Sequence, residues 1–192
     1  MLECVVNISE GRDRATIDAI AAACGPALLD VHTDTDHHRS VLTLAGRDLQ
    51  DAARAARDLT DEVAERLDLS GHRGVHPRLG AVDVVPFVAL APTAASTAVE
   101  AAREYAEWVV AAHGVPVFLY GDADSQARSL PEARRDAFRT RAPDLGPAEP
   151  HPRLGAVVVG VAGTAVAGTA TASDMLAPQC ETFGKRSLRG AG

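Results

Sequence analysis

The chain has 192 residues, 46% of them hydrophobic, which is enough to bury a full core in one domain. Its formal net charge of −7 and isoelectric point near 5.4 argue against a nucleic-acid binder or a membrane-surface binder, because those need a basic field. Its three cysteines show no metal-ligand spacing, and the sequence has no recognisable signal peptide or transmembrane stretch, so we expect a cytoplasmic protein.

The first half of the chain alternates short strand-like runs with helical patterns. Residues 2–8 are predicted to form a strand, and residues 13–24 place apolar side chains on one helical face before a Gly-Pro stop. Residues 27–31 and 39–45 predict two strands joined by a polar loop. Residues 49–67 carry apolar side chains at three- and four-residue spacings, which predicts an amphipathic helix.

The second half continues this alternation. Residues 81–90 predict a strand, and Pro86 within it favours a sheet edge or a bulge, because proline lacks a ladder donor. The remaining predicted elements are a third helix around residues 95–109, a strand at 115–120, a short basic helix at 131–140 and a last strand at 156–161.

The order of these elements, β-α-β-β-α-β-α-β-α-β, predicts an α/β (α+β) fold with a mixed β-sheet. A ferredoxin-like arrangement is its natural core, and we expect the helices to pack on one face of the sheet. From residue 162 onward the sequence has no amphipathic period. Residues 162–192 are therefore expected to form a divergent tail that is either flexible or truncated.

The heptapeptide His-Pro-Arg-Leu-Gly-Ala-Val occurs twice, at residues 76–82 and at residues 151–157. The first copy lies in a loop rich in glycine, histidine and arginine, so any chemistry is expected to centre there. A loop imidazole beside guanidinium groups suits proton transfer near an anionic substrate, and a structural histidine that caps a strand entry is an equal alternative. His151 lacks such neighbours and is interpreted as mainly structural.

Residues 30–40 hold three carboxylates and three histidines in a loop between strands. This density is compatible with a metal site, because imidazole and carboxylate bind zinc, manganese or iron, and a solvated polar loop is an equal alternative. His72 and His76 have the spacing found on a metalloprotease helix. The glycines and the proline around them argue against that helix, which weakens the metal hypothesis.

Two further groups of side chains have both a functional and a structural interpretation. Arg134 and Arg135 could bind a carboxylate in bidentate fashion, which suits a glutamyl-type ligand. A helix face on which they pair with nearby acidic residues is the more usual explanation. Cys4 and Cys24 lie on apolar patterns and are expected to be buried rather than reactive.

A series of motifs runs in order from residue 2 to about residue 161. They are Glu-Cys-Val-Val-Asn-Ile-Ser-Glu-Gly-Arg at 3–12, Leu-Leu-Asp-Val at 28–31, His-Arg-Ser-Val at 38–41, the segment 72–87 that contains the first heptapeptide, and Val-Pro-Val-Phe-Leu-Tyr-Gly at 115–121. Taken together, these motifs resemble the N-terminal subdomain of the formiminotransferase (glutamate formimidoyltransferase) family, and residues 2–161 are expected to form that subdomain.

The resemblance implies transfer of a formimino group from N-formimidoyl-L-glutamate to tetrahydrofolate, in histidine breakdown and one-carbon metabolism. It implies that His76 is catalytic, because the family's catalytic histidine lies in the His-Pro-Arg motif. One imidazole could serve both proton transfers of such a reaction. The donor and the folate tail are anionic, so Arg39, Arg73 and Arg78 become candidate substrate contacts.

The chain departs from the family pattern at one position near the expected site. His32 stands where relatives carry an aspartate, and Asp34 or Asp36 is a candidate replacement for that carboxylate. Tetrahydrofolate is expected as a co-substrate and no metal is expected. The expected partners are small molecules rather than nucleic acid or membranes.

The family enzyme has a second subdomain of similar build, and folate lies between the two sheets. Because the resemblance ends near residue 162, transfer by the isolated chain is expected to be impaired. Self-association through an exposed sheet face is also expected, which predicts a homo-oligomer. Two other functions stay open, namely a non-catalytic folate-binding or partner-binding module and a metal-dependent hydrolase built on residues 34–38 with His72 and His76.

Overall fold

The structure is a computed structural model that describes residues 1–46, 50–73, 78–91 and 94–162. Strands and helices alternate along these residues in the predicted order. They are β1 (Leu2–Ile8), α1 (Arg14–Ala23), β2 (Leu28–Asp34), β3 (Arg39–Ala45), α2 (Asp51–Arg66), β4 (Val82–Ala89), α3 (Ala95–His113), β5 (Val117–Tyr120), α4 (Leu130–Arg135) and β6 (Val157–Ala162).

The strands form one sheet in the order β2-β3-β1-β4-β6-β5. The first four strands in this order form three antiparallel pairs. This is the ferredoxin-like pattern of a β-α-β-β-α-β unit. Strands β6 and β5 extend the sheet beyond β4 in parallel. The predicted fold class, an α+β fold with a mixed sheet and a ferredoxin-like core, is therefore confirmed.

The main core lies between the sheet and helices α1, α2 and α3. Ile20, Leu59 and Tyr105, one from each helix, are fully buried there together with Phe87 of β4. The Tyr105 hydroxyl lies 2.6 Å from the hydroxyl of Thr60 on α2, so this buried polar pair is satisfied. Helices α1 to α3 thus cover one face of the sheet, as expected.

Helix α4 departs from that expectation, because it packs on the opposite face. Its Ala133 is buried against Val84, Phe118 and Val158, which belong to three neighbouring strands. Every residue of β4 is buried, and a strand that is apolar on both sides must be covered on both sides. Helix α4 is also shorter than predicted, since Phe138 adopts a left-handed φ of 60° a few residues beyond the helix end.

Of the two predicted settings for Pro86, a sheet edge or a bulge, the sheet edge is wrong. Strand β4 is central, between β1 and β6. The register of β1 on β4 passes from the pair Cys4–Phe87 directly to the pair Asn7–Val84, so the ladder is interrupted opposite Pro86. A bulge follows between Asn7 and Ile8. The missing proline N–H is therefore accommodated inside the sheet by a break in pairing rather than by exposure at an edge.

Two expectations fall wholly or largely outside the described residues. The tail at 162–192 is described only at its first residue, Ala162, and the start of the predicted second helix includes residues 47–49, which are not described. No helix in the described ranges combines the length and the apolar run needed to cross a membrane. Cys4 and Cys24 are buried free thiols, in agreement with their apolar pattern.

Candidate active site

The end of strand β1 is bonded to the segment that follows the predicted catalytic loop. The backbone N–H of Ser9 donates to the carbonyl oxygen of Ala81 at 2.8 Å, and the Ser9 hydroxyl donates to the carbonyl oxygen of Gly80 at 2.8 Å. Ser9 is buried. The first heptapeptide, residues 76–82, is therefore fixed at its C-terminal end against the strand that begins the chain.

A buried carboxylate accepts hydrogen bonds from the backbone of the same segment. Asp83 Oδ1 accepts the backbone N–H of Leu79 at 2.8 Å and that of Gly80 at 3.4 Å. Asp83 Oδ2 accepts from Arg134 Nη1 at 2.9 Å, in an ion pair whose side chains are 3% and 14% exposed, respectively. Arg134, one of the two predicted carboxylate ligands, thus binds a carboxylate of this chain, whereas Arg135 is exposed.

The second heptapeptide, residues 151–157, lies directly against the first. The N–H of Ala81 donates to the carbonyl oxygen of Leu154 at 2.9 Å, and the N–H of Ala156 donates to the carbonyl oxygen of Leu79 at 2.8 Å. Between these two bonds the glycines of the two copies form an antiparallel bridge. The repeat in the sequence is therefore a contact in the structure, and the second copy supports the first.

His151 acts within its own turn, as the structural interpretation predicts. Its Nδ1 accepts the backbone N–H of Leu154 at 3.0 Å and that of Arg153 at 3.3 Å. The backbone of His151 also exchanges two hydrogen bonds of 2.8 Å with Gly155. The ring and the backbone of His151 thus stabilise the turn of the second copy.

A tight turn after β1 rests on the loop between β2 and β3. A Cβ atom on Gly11 would lie 2.3 Å from both the Arg39 nitrogen and the Asp34 carbonyl oxygen, so only glycine fits there. The N–H of Gly11 donates to His38 Nδ1 at 3.0 Å. The Glu10 carbonyl oxygen accepts from the Ser40 hydroxyl at 2.6 Å. These contacts place His38 beside the start of α1.

The imidazole rings of His38 and His72 are in contact, with centroids 4.1 Å apart and ring planes tilted by 41°. Burial lowers the pKa of His72 to about 4, and the charges of Arg78 and His38 add to the effect. Burial also lowers the pKa of His38. Since His38 Nδ1 already accepts the Gly11 N–H, its 3.4 Å approach to Glu10 Oε1 is a contact of a neutral ring rather than an ion pair.

Arg12 connects three loops around this imidazole pair. Its Nε donates to the Thr35 carbonyl oxygen at 3.0 Å, and its Nη1 donates to the Arg73 carbonyl oxygen at 3.4 Å. The Arg73 side chain is exposed. Burial lowers the pKa of Arg78, and the positive charge of Arg12 adds to that effect while the carboxylate of Asp83 opposes it. Arg73 and Arg78 thus place positive charge before and after residues 74–77, which are not described.

The β2–β3 hairpin presents the other predicted contacts on one face of the sheet. The register pairs Asp34 with Arg39 and His32 with Val41, and side chains two residues apart on a strand share a face. His32 is exposed and Arg39 is buried. Asp34 Oδ2 lies 2.7 Å from His37 Nδ1, and hydrogen bonds from the backbone and ring of His37 lower the Asp34 pKa.

The predicted catalytic residue, His76, lies outside the described residues, which resume at Arg78. Five further residues lie around the described ends of this segment or on the adjoining strand and have no individual role in the sequence prediction: Asn7, Ser9, Glu10, Arg12 and Asp83. The first four lie in the segment 3–12 that carries part of the family resemblance. Asp83 is a charged residue inside an otherwise apolar strand, and that pattern was the available signal.

The metal hypothesis finds no ligand set in the parts of the chain that are described. No group of three or more histidine, cysteine, aspartate or glutamate side chains lies close enough there to hold an ion. Asp34 and His37 bind each other, and His38 faces His72 and Gly11 instead of a shared centre.

The sheet and the loops at its edge define an α+β domain that presents an arginine-lined, glycine-rich loop. The formiminotransferase domain, N-terminal subdomain family matches residues 1–162, and the chain belongs to this family. It is 36% identical over 175 residues to the glutamate formimidoyltransferase of Streptococcus pyogenes serotype M1. The aligned residues cover 83% of this chain and 58% of that protein.

Two other curated relatives are similar to this chain to a comparable degree. The glutamate formimidoyltransferase of Thermoplasma acidophilum is 37% identical over 187 residues, which cover 88% of this chain and 58% of that protein. The formimidoyltransferase-cyclodeaminase of Sus scrofa is 35% identical over 175 residues, which cover 83% of this chain and 32% of that protein. The chain thus spans between about a third and three-fifths of the length of these curated relatives.

Proposed function

We propose that this chain forms one side of a formimidoyltransferase site and takes part in transferring a formimino group from N-formimidoyl-L-glutamate to tetrahydrofolate. The observation that carries the proposal is the support around the first heptapeptide in a member of this family. Ser9, Asp83 and the second heptapeptide all bind the backbone of residues 79–81. A loop that must place an imidazole beside a reacting carbon needs this kind of support.

The reaction requires two proton transfers. A folate nitrogen attacks the amidine carbon and loses its proton, which gives a tetrahedral adduct. The bond between that carbon and the glutamate nitrogen then breaks, and the departing nitrogen gains a proton. The products are 5-formimidoyltetrahydrofolate and glutamate. We assign both proton transfers to His76, since one imidazole can accept a proton and return it near neutral pH.

The second heptapeptide supports this assignment by comparison. In that copy His151 Nδ1 accepts the N–H of Leu154, whereas in the first copy the equivalent N–H, that of Leu79, is bonded to Asp83. The equivalent N–H groups are thus bonded to an imidazole ring in one copy and to a carboxylate in the other. The proposal is that Asp83 takes over the structural bond and that His76 serves the chemistry.

Arginine side chains account for the anionic substrates. We propose that Arg39, Arg73 and Arg78 bind carboxylates of the donor or of the folate tail, because guanidinium groups bind carboxylates in bidentate fashion. Arg78 lies in the first heptapeptide, and Arg39 lies on the sheet face that also carries Asp34 and His32. His32 and Asp34 are proposed as contacts at the place where relatives have an aspartate.

The neutral state of the paired imidazoles also fits this chemistry. Burial lowers the pKa of His72 to about 4, so His72 is uncharged near neutral pH. The formimino donor carries a positive amidinium group. A protonated His72 beside Arg12 and Arg78 would repel that group, and a neutral ring does not.

The assay that tests the proposal is formimino transfer to tetrahydrofolate by the purified protein. His76→Ala should lower kcat by about a hundredfold or more, the usual contribution of a general acid-base group. His151→Ala is the matched control, because it removes the same residue from the same heptapeptide and should leave kcat largely intact. Equal activity of His76→Ala and wild type would remove His76 from the mechanism. Binding of tetrahydrofolate without turnover by wild type would favour the binding-module alternative.

We further propose a domain at residues 2–161, a cytoplasmic location and a homo-oligomer. The buried free thiols of Cys4 and Cys24 suit a reducing compartment. The large hydrophobic side chains that are exposed among the described residues are Met1, Leu29 and Leu90, and the backbones of Met1 and Leu90 are bonded to each other. Sedimentation velocity tests the assembly, and a monodisperse monomer at micromolar concentration would contradict it.

A further inference from the structure

Asn7 is the only asparagine in the chain, and the oxygen of its buried amide has no hydrogen-bond partner among the described residues. The residue is 8% exposed. Its Nδ2 donates to the carbonyl oxygen of Val5 at 3.2 Å, whereas its Oδ1 is buried and has no hydrogen-bond partner in the described parts of the chain. A buried acceptor without a donor is unfavourable, because the group has lost its hydrogen bonds to water and has gained none in return.

The orientation of this amide is fixed by chemistry. If oxygen and nitrogen were exchanged, an amide oxygen would face the carbonyl oxygen of Val5, and two acceptors would repel each other. The atom that lacks a partner is therefore the oxygen. Whatever completes the site must present an N–H or O–H donor to it.

The sheet register places Asn7 inside the candidate site. Asn7 lies between Val41 of β3 and Val84 of β4, on the face opposite the main core. His32 pairs with Val41 and so belongs to the same row of side chains. Two residues further along, Ser9 bonds to Gly80 and Ala81 of the first heptapeptide. The partnerless oxygen thus lies on the sheet face that carries the predicted contacts and close along the chain to the supports of the catalytic loop.

We propose that Asn7 Oδ1 accepts an N–H of the formimino group and that Asn7 is a residue that selects formimino over formyl donors. This inference rests on the proposed function. The terminal atom of a formimino group is a nitrogen that carries hydrogens and positive charge, and it can donate to a carbonyl-type oxygen. A formyl group has an oxygen in the same position, and two acceptors would then face each other without a proton.

The test is a comparison of two ligands, N-formimidoyl-L-glutamate and N-formyl-L-glutamate, by titration calorimetry. Wild type should bind the formimino compound about tenfold tighter or more, as expected for a hydrogen bond to a charged donor. Asn7→Ala removes the acceptor, and the preference should fall to near unity. Asn7→Asp should retain the preference, because a carboxyl group can donate to Val5 and still present an oxygen to the ligand.

Thr60→Val is the matched control. It removes a buried polar group from the helix side of the sheet, where Thr60 bonds to Tyr105, and should leave the ligand preference unchanged. Circular dichroism at the titration temperature verifies that each variant is folded. If Asn7→Ala does not fold, Asn7→Asp decides, and loss of the preference in that variant would count against the proposal.

The outcomes separate this inference from the proposed function. If wild type binds the formimino compound and Asn7→Ala keeps the full preference, the role of Asn7 is overturned and the proposed function stands. Equal binding of both ligands by wild type would also overturn the role of Asn7 and leave the proposed function standing. If wild type binds neither ligand, the proposed function fails, and the inference fails with it.

Discussion

The two copies of His-Pro-Arg-Leu-Gly-Ala-Val have the same sequence and different hydrogen-bond partners. In the second copy, at residues 151–157, the backbone N–H of Leu154 is bonded to the ring of His151. In the first copy, at residues 76–82, the equivalent N–H of Leu79 is bonded to the side chain of Asp83. The Leu154 N–H thus bonds to a residue inside its own copy, and the Leu79 N–H bonds to the residue that follows its copy.

The difference originates at one position outside the repeat. Asp83 follows the first copy and Val158 follows the second. The carboxylate of Asp83 binds two backbone N–H groups and Arg134, whereas Val158 packs among apolar side chains. A seven-residue identity therefore does not fix the hydrogen-bond partners of its backbone, because these also depend on the residues that flank the repeat.

Replacing Asp83 with valine makes the first copy resemble the second at this position, and we expect it to have the largest effect. The change breaks a buried pair with Arg134 and removes the acceptor of the Leu79 N–H. The free energy of unfolding should fall by about 3 to 5 kcal/mol, the usual effect of breaking a buried ion pair. Urea unfolding measures it.

The control for this variant is Asp61→Val. Asp61 is half exposed and pairs with His113 at the end of α3, so its loss should lower the free energy of unfolding by less than about 1 kcal/mol. Equal effects of the two substitutions would mean that Asp83 does not stabilise the first copy.

The contact between the two copies can be broken at its glycines. Gly155 has a φ of +71°, and a Cβ there would lie 2.1 Å from the Leu79 carbonyl oxygen. Gly155→Ala should therefore lower the free energy of unfolding by about 3 kcal/mol through clash and backbone strain. Thermal unfolding measures this effect.

Gly71→Ala provides a matched substitution in open space, since no heavy atom lies within 4 Å of a Cβ at Gly71. It should change the free energy of unfolding by no more than about 0.5 kcal/mol. A mild effect of Gly155→Ala, similar to that of Gly71→Ala, would show that the two copies are not in this close contact in solution.

The sequence predicts the order of elements well because strands and helices have different apolar periods. Strand β1 and helix α3 follow those periods closely. Only the edge alternative for Pro86 is wrong, since a local rule about a missing N–H does not distinguish a sheet edge from an interruption of the ladder within the sheet. The covering of the second face of β4 was not predicted either, although the apolar run from Val84 to Ala89 is a signal that both sides are covered.

The candidate site was predictable in part. Motifs pointed to His76 and its flanking arginines, and the register places His32, Asp34 and Arg39 on one sheet face, while their roles stay proposals. The pairing of the two heptapeptides could not be predicted, because it joins residues far apart in the chain and identity in sequence carries no information about contact.

His151→Ala tests whether the second copy depends on its own ring. The N–H groups of Leu154 and Arg153 would lose their acceptor, and the free energy of unfolding should fall by about 1 kcal/mol. Formimino transfer should be maintained at a temperature where the variant is folded, in contrast to His76→Ala. A loss of transfer equal to that of His76→Ala would contradict the proposal that only the histidine of the first copy is catalytic.

The smallest expected effect is a pH dependence near the first copy. The pKa of His72 is about 4 in the folded protein, and its ordinary value is 6.5. Below pH 6.5 the unfolded state therefore binds a proton at His72 that the folded state does not bind, and stability falls as the pH decreases towards 4. The loss should be of the order of 1 kcal/mol, because the ring is partly exposed to solvent.

His72→Gln isolates this contribution, since the carboxylates that also titrate in this range are shared by both proteins. The free energy of unfolding of wild type minus that of the variant should decrease between pH 6.5 and 4 and level off below that range. A difference that stays constant across the range would show that His72 is solvated in solution. The ring in contact with His38 would then not be the neutral, partly buried group that precedes the first copy.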